Sequence, residues 1–157
     1  MKTNLKFIAA ALLLAVTACD KDKDSSPSPS VTENQLVEKN WQMSAMTISP
    51  ALESEVGPIS DLYAWMPSCS KDDFIRFEKN GSFRGDEGGS KCDEEDPQTT
   101  STGTWTLTDG NKKLTTVENG ESQTFTVDNL SKEELKLSLQ ETEEGVTYTV
   151  VTTFRKK

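Results

Sequence analysis

The fold is decided by the stretch GTWTLTDGNKKLTTVENGESQTFTVDNL, residues 103–130, in which apolar residues alternate with threonines and other polar residues. Trp105 and Phe125 each lie within such an alternation. Because successive side chains of a strand point to opposite faces, a period of two predicts strands with one buried face, whereas a helix needs spacings of three and four. The Asn119-Gly120 pair between two of these segments favours a tight hairpin. This stretch therefore predicts an antiparallel β-meander.

The same period of two continues on both sides of this stretch. It runs through Leu135, Leu137 and Leu139, and again from Val146 to Phe154. With the turn signals between the runs, it predicts eight strands, at residues 40–48, 72–79, 82–86, 101–108, 112–118, 122–129, 133–140 and 146–155. Eight strands with short links close most economically into a barrel, which removes exposed edges. We therefore predict an all-β fold, an eight-stranded antiparallel up-and-down barrel.

A short helix is predicted before the first strand. Thr32 is followed three residues later by Gln35, which fits a capping box, so the helix is expected at residues 32–38. Two long connections interrupt the meander, at residues 49–71 and 87–100. Long loops in a compact domain are often functional, so the end of the barrel that carries them is the first candidate for a site.

The composition limits the classes of function. The chain of 157 residues has 17 Lys plus Arg against 26 Asp plus Glu, a net charge of -9, and no His. This acidic balance argues against a nucleic-acid ligand, because binding to phosphates relies on basic side chains. Since the commonest general base and zinc ligand is missing, we expect no catalytic residues, no metal and no cofactor.

Two acidic groups do not change this expectation. Asp72 and Asp73 are neighbours on a predicted strand, so their side chains would point to opposite faces instead of forming a catalytic carboxylate pair. The acidic run at residues 93–96 does not have the spacing of a calcium-binding loop. We therefore interpret it as a solvated loop.

The N-terminus has the features of an export signal. Two lysines precede an apolar run from Phe7 to Val16 that is too short to span a bilayer as a helix. The run leads into Val16-Thr17-Ala18-Cys19, which resembles the lipobox of bacterial lipoproteins, in which the Cys is acylated and becomes the first mature residue. This resemblance implies a signal peptide at 1–18, a lipidated Cys19 with a flexible linker at 19–30, and a folded domain at 31–157.

The resemblance also implies a location. The acyl groups on Cys19 would anchor the protein to the bacterial outer membrane. The Asp and Lys residues that follow either solvate the linker or act in export to the cell surface, because they are similar to the surface-export signals of Bacteroidota lipoproteins. The protein is therefore expected to be either periplasmic or surface-exposed.

With Cys19 lipidated, two of the three cysteines remain, Cys69 and Cys92. An even pair in an oxidising compartment predicts a disulfide. A metal pair and a reactive thiol are the alternatives, although no His accompanies either. Each cysteine lies in one of the two long connections, so the disulfide would join these loops at one end of the barrel.

The chain resembles the lipocalin-like domains of small secreted bacterial lipoproteins over residues 35–157. The resemblance is carried by the segment at 36–41, which ends in Trp41, by the segment at 69–83 with its Cys, Asp-Asp and Asn-Gly, and by Gly103-Thr104-Trp105. It implies a barrel whose floor is plugged by Trp41 and whose interior can hold a small apolar ligand.

Two kinds of residue are candidates for binding a ligand. One group is expected to face the interior of the barrel, which is either a cavity or a packed core. The other group lies in an unusually apolar loop, which either folds over the barrel as a lid, anchors a ligand or a partner, or caps the barrel end. The candidates are Tyr63, Trp65, Met66, Trp105, Phe125, Leu137 and Tyr148.

Two functions follow from these expectations. The first is a monomeric, membrane-anchored, non-catalytic protein that binds a small apolar or amphipathic ligand at the open end of the barrel. The second is an interaction protein with a filled barrel, whose long loops bind another envelope protein, a glycan or a host macromolecule. The strand pattern fits both.

Overall fold

The computed structural model describes residues 33–157, which form a short helix followed by nine strands. The predicted signal peptide, Cys19, the linker and Thr32 lie outside the described residues. The elements are α1 (Glu33–Leu36), β1 (Asn40–Leu52), β2 (Ile59–Asp61), β3 (Phe74–Phe77), β4 (Ser82–Asp86), β5 (Thr99–Thr108), β6 (Lys113–Glu118), β7 (Glu121–Leu130), β8 (Glu134–Glu143) and β9 (Val146–Lys156).

The strands form a closed antiparallel barrel, which confirms the predicted fold. Each strand from β3 to β8 pairs with the next one in the chain, and β1 pairs with both β3 and β9. The pairing of β1 with β9 runs from Trp41 to Ser49 and closes the sheet. The eight strands of the barrel are the eight that the sequence predicts, with boundaries shifted by up to four residues.

Strand β2 is the ninth strand and was not predicted. It lies inside the first long connection and pairs with the distal part of β1, at Thr47 and Leu52. On the same edge, β3 reaches β1 only from Asn40 to Gln42, because β3 has four residues and β1 has 13. Strand β2 therefore covers a part of the β1 edge that β3 leaves unpaired.

The tight turns follow the predicted chemistry. Asn119 and Gly120 have φ angles of 51° and 86°, and Glu144 and Gly145 have φ angles of 51° and 83°. Positive values at both central residues define the turn whose twist matches antiparallel strands. These turns fix the register of β6 with β7 and of β8 with β9.

One end of the barrel, here called the floor, is closed by α1 and by the residues that follow it. Leu36 and Trp41 are fully buried, and the Trp41 Nε1 donates a hydrogen bond of 2.7 Å to the Leu36 carbonyl. A second indole, that of Trp105, donates to the Glu78 carbonyl at 3.0 Å and packs edge-on against Phe77. These contacts give the floor a dense apolar plug.

The opposite end, here called the open end, carries the longer loops. The connection between β1 and β3 and the loop between β4 and β5 both lie there, with the hairpins of β6 with β7 and of β8 with β9.

Within residues 33–157, no helix has the length and apolar character needed to cross a membrane.

Candidate functional site

A cavity of about 230 Å³ lies inside the barrel. Its bottom is apolar and faces the floor, where Phe77, Leu114 and Leu135 are almost completely buried. The walls are contributed by β3 to β9, so every strand of the barrel except β1 takes part. The lining residues are Ile75, Phe77, Phe83, Ser101, Leu114, Thr116, Glu118, Gln123, Phe125, Leu135, Leu137, Thr152 and Phe154.

The polarity of the lining changes along the barrel axis. On β6, the inward positions run from Leu114 through Thr116 to Glu118, which is the last residue before the hairpin. On β7, Phe125 lies opposite Leu114 and Gln123 lies opposite Thr116. The cavity therefore has an apolar bottom and a polar rim at the open end.

A second hollow of about 290 Å³ adjoins the interior cavity at this rim. Thr116, Glu118 and Gln123 line both spaces. The remaining lining of the second hollow comes from the hairpin itself, at Asn119, Glu121 and Ser122. The two spaces therefore share a polar rim at the open end.

A third hollow, of about 590 Å³, lies along the distal parts of β1, β8 and β9. Ile48, Tyr148 and Val150 give it an apolar side, and Glu141 and Glu143 add carboxylates. Tyr148 and Val150 precede Thr152 and Phe154 of the interior cavity in the same alternation along β9. The inward face of β9 therefore continues from the interior cavity into this hollow.

The four candidate residues that were expected to face the interior fall into three places. Phe125 and Leu137 line the interior cavity. Trp105 lies below it in the buried core, and Tyr148 lines the third hollow. The interior is therefore not completely filled, and Trp105 and Tyr148 are not among the residues that line the cavity.

The apolar loop residues are not among those that line the interior cavity. Tyr63 and Trp65 form a 3₁₀ turn after β2, and Met66 follows it. The indole of Trp65 is 63% exposed, so it does not cap the barrel end. The Lys71 ammonium lies 4.9 Å from the centre of the Tyr63 ring. The structure thus separates this loop from the interior residues.

The sequence interpretation does not include the polar rim, because its candidates are all aromatic or apolar residues. Thr116, Glu118 and Gln123 carry no motif of their own. The period of two indicates their position, because residues two or four places from Leu114 or Phe125 on the same strand must share the inward face. Extending that period to polar residues would have found them.

The predicted disulfide between Cys69 and Cys92 is confirmed, with a Cα separation of 5.1 Å. Cys69 lies in a second 3₁₀ turn, Ser68–Ser70, and Cys92 lies in the loop between β4 and β5. The bond joins the two long connections at the open end, as the sequence predicted. It therefore restrains the loops on the β3 and β4 side of the open end.

The side chain of Asp72 reinforces the same junction. Its carboxylate accepts hydrogen bonds from the Ser90 hydroxyl at 2.6 Å, from the Gly89 amide at 2.7 Å and from the Ser90 amide at 3.0 Å. These donors, the Ser90 hydroxyl first, lower the pKa of Asp72. The expectation that Asp72 and Asp73 lie on a strand is wrong, because β3 begins at Phe74.

Asp73 is in a less favourable environment than its neighbour. Its Oδ1 is buried without a hydrogen-bond partner. Burial, followed by repulsion from Glu87, Asp72 and Asp86, raises the pKa of Asp73.

Within residues 33–157, no group of three or more His, Cys, Asp or Glu side chains is placed to hold a metal ion. The acidic run at 93–96 is exposed.

Two solved structures resemble this chain. A lipocalin-like protein from Bacteroides uniformis ATCC 8492 covers 78% of this chain and 99% of its own, with 19% identity and a TM-score of 0.45. The complex of bovine odorant binding protein with a selenium-containing odorant covers 86% of this chain and 78% of its own, with 12% identity and a TM-score of 0.42. No curated protein matches this chain significantly.

The family comparison covers most of the barrel. The model of the lipocalin-like domain matches residues 37–137. This span starts at Val37 in the floor, includes the disulfide and the β6 and β7 rim, and ends at Leu137 in the cavity wall. It is well over half of the chain, and the closed antiparallel barrel agrees with it, so the protein belongs to the lipocalin-like domain family.

Proposed function

We propose that the protein is a non-catalytic binding protein that takes a small apolar or amphipathic ligand into the barrel through its open end. The observation that carries this proposal is the interior cavity of about 230 Å³, with its apolar bottom and polar rim. Apolar walls favour a ligand by removing its surface from water, at about 25 cal/mol per Å². A few polar groups at the mouth orient it.

The size of the cavity limits the ligand. An apolar cavity of about 150 Å³ holds a benzene molecule, so a cavity of about 230 Å³ accommodates roughly ten non-hydrogen atoms. This is smaller than the usual range for drug-sized ligands, about 300 to 1,000 Å³. We therefore expect a short aliphatic chain or a single ring system to fit inside the barrel, with any larger part at the rim.

The chemistry of the lining supports binding without catalysis. The polar groups are hydroxyls, one amide and one carboxylate, contributed by Ser101, Thr116, Thr152, Gln123 and Glu118. The chain has no His to activate the hydroxyls. A binding role needs only the shape and polarity of the cavity.

The proposal is tested by calorimetric titration of the purified full chain with 1-octanol, which is close to the size of the cavity. Two variants on adjacent residues of β6 form a matched pair. Thr116→Trp places a large ring in the cavity, and Val117→Trp places the same ring on the outer face, where Val117 is 37% exposed.

Saturable binding to the parent chain and to Val117→Trp, with loss of binding in Thr116→Trp, is the expected result. Circular dichroism and thermal melting of each variant show whether it is folded. If 1-octanol binds Thr116→Trp as well as the parent, or if neither 1-octanol nor another eight-carbon amphiphile binds any form of the chain, the proposal is wrong.

The same proposal includes a lipid anchor at Cys19 and a place on the outer membrane, either periplasmic or surface-exposed. Its support is the apolar segment followed by Val16-Thr17-Ala18-Cys19. The first described element, α1, lies on the floor, opposite the open end. We expect a monomer on the membrane.

Mass spectrometry of the protein from its native membrane tests the anchor. The expected result is an acyl-modified N-terminal peptide that begins at Cys19, which is lost in Cys19→Ala. Protease treatment of intact cells then distinguishes surface exposure from a periplasmic location. An unmodified N-terminus in the native protein would rule out the anchor.

A further inference from the structure

The rim of the interior cavity carries two carboxylates that face each other. Glu118 and Glu121 are register partners on β6 and β7, so their side chains lie on the same face of the sheet. Glu118 lines the interior cavity, and both residues line the adjoining hollow. Like charges directly opposite each other on a sheet are unfavourable unless a cation lies between them or beside them.

No basic side chain balances these carboxylates within the two spaces. The residues that line the interior cavity and the adjoining hollow include no Lys or Arg. Within residues 33–157, the side chain of Glu118 has neither an ion pair nor a hydrogen bond. Glu118 is half-buried, so it is positioned to interact with whatever occupies the mouth.

The basic residues of β6 to β9 are also distributed unevenly between the two ends of the barrel. There is no Lys or Arg between Lys113 and Lys132, nor between Lys136 and Arg155. These two gaps contain the hairpins at the open end, whereas the four basic residues that bound them lie towards the floor. The hairpins of the open end are therefore uniformly acidic, which attracts cations and repels anions.

We propose that the barrel selects a small cationic amphiphile, with its apolar body in the interior and a protonated amine beside Glu118. This inference rests on the proposed function and specifies its ligand class. The apolar body contacts Leu137 and Phe125, and the ammonium group donates charge-assisted hydrogen bonds to the carboxylate. Glu121 adds a second negative charge at the same mouth.

The alternatives fit the rim less well. A neutral alcohol would fill the same apolar space, but it would leave the carboxylate of Glu118 without a counter-charge. A fatty acid would bring a third negative charge to Glu118 and Glu121. The polarity of the rim thus ranks three head groups on one apolar body, with the amine first, the alcohol second and the carboxylate last.

Calorimetric titration of the full chain with n-octylamine, 1-octanol and octanoate at pH 7 tests this ranking. The three probes share their aliphatic body, and the amine is protonated at this pH because its pKa is near that of a Lys side chain. We expect n-octylamine to bind at least tenfold more tightly than 1-octanol, and octanoate to bind most weakly.

Two charge-neutralising variants locate the effect. Glu118→Gln keeps the size of the side chain and is expected to lower the affinity for n-octylamine at least tenfold, to that of 1-octanol, without changing the affinity for 1-octanol. Glu144→Gln removes the same charge from the β8–β9 turn, outside the lining of the interior cavity, and is expected to leave all three affinities within twofold.

The outcomes separate this inference from the proposed function. If 1-octanol and n-octylamine bind equally well, or if Glu118→Gln has no effect on the amine, the barrel binds ligands but does not select cations, and this inference is wrong. If Glu118→Gln and Glu144→Gln weaken the amine equally, the selection comes from net charge and not from the rim. If none of the probes binds, the proposed function itself fails.

Discussion

The three tryptophans of the chain provide a graded test of what holds the floor of the barrel together. Trp41, Trp105 and Trp65 are 0%, 8% and 63% exposed. The first two indoles donate hydrogen bonds to main-chain carbonyls, whereas the ring of Trp65 lies at the surface. Replacing each Trp with Phe keeps an aromatic ring, removes the N–H donor and shortens the side chain by the same amount at all three positions.

The structure sets the order of the effects. Trp41→Phe leaves the Leu36 carbonyl without its donor in a fully buried site, which costs about 1 to 3 kcal/mol, and the missing ring atoms leave a void that adds about 1 kcal/mol. We therefore expect a loss of about 3 kcal/mol in the free energy of unfolding. Trp105→Phe should cost about 1.5 kcal/mol, because its hydrogen bond is only partly buried and water can replace the donor. Trp65→Phe should stay within about 0.5 kcal/mol of the parent.

Urea unfolding followed by far-ultraviolet circular dichroism measures these differences, provided that the dependence on urea is the same for all four proteins. Hydrogen exchange adds a local readout at the Glu38 amide, which donates to the Phe77 carbonyl where the chain passes from α1 into β1. It should exchange faster in Trp41→Phe than in Trp105→Phe. If Trp41→Phe costs no more than Trp105→Phe, the bond between Trp41 and Leu36 does not hold the floor and the reasoning is refuted.

Three further predictions concern the open end and the cavity wall. Burial raises the pKa of Asp73, so the ionised carboxylate destabilises the fold above that pKa. Asp73→Asn should therefore be more stable than the parent at pH 7. Thermal melts from pH 7 to pH 3 should show this advantage shrinking as Asp73 of the parent becomes protonated. Reduction of the disulfide between Cys69 and Cys92 should cost about 3 kcal/mol in urea unfolding, since the cysteines are separated by 23 residues, and an unchanged midpoint would contradict this. A Cβ on Gly103 would clash with the main-chain carbonyl oxygen of Val117 and would lie 2.6 Å from the Phe83 ring, so Gly103→Ala should lower stability by about 2 kcal/mol; equal stability would show that the wall can relax.

The sequence predicts the barrel well because one signal repeats along most of it. The apolar residues of β5 to β9 follow a period of two, and the turns at Asn119 and Glu144 begin Asn-Gly and Glu-Gly pairs whose two residues adopt positive φ angles. Local pattern and turn chemistry agree there, so the strands and their order follow from both. The disulfide was predictable for a different reason, since the expected lipidation of Cys19 and the expected oxidising compartment left Cys69 and Cys92 as one natural pair.

The sequence does not predict β2 or the full length of β1. Strand β2 has three residues, Ile59–Asp61, which is too short for a period of two to be recognised. The prediction for β1 stops at residue 48, ahead of Pro50, which cannot donate to a ladder. Pro50 is accommodated because it follows the last pair with β9, at Ser49, and lies in the irregular part of the pairing with β2. Both features depend on how far β3 extends along β1, and this extent cannot be predicted from a local sequence pattern.

The sequence also cannot decide whether the barrel is filled, and the reason is geometric. The period of two identifies which residues face inwards, but the space they leave depends on strand tilt and stagger, which are properties of the closed sheet. Small residues such as Ser101, Thr116 and Thr152 occupy inward positions around the upper cavity, whereas Leu114 and Leu135 fill the level below. The same alternation thus yields a packed floor and an accessible cavity, separated by about one inward-facing layer. Ligand binding therefore depends on the size and polarity of each inward-facing residue in order along the barrel axis. On β6 that order runs from Leu114 through Thr116 to Glu118 at the rim.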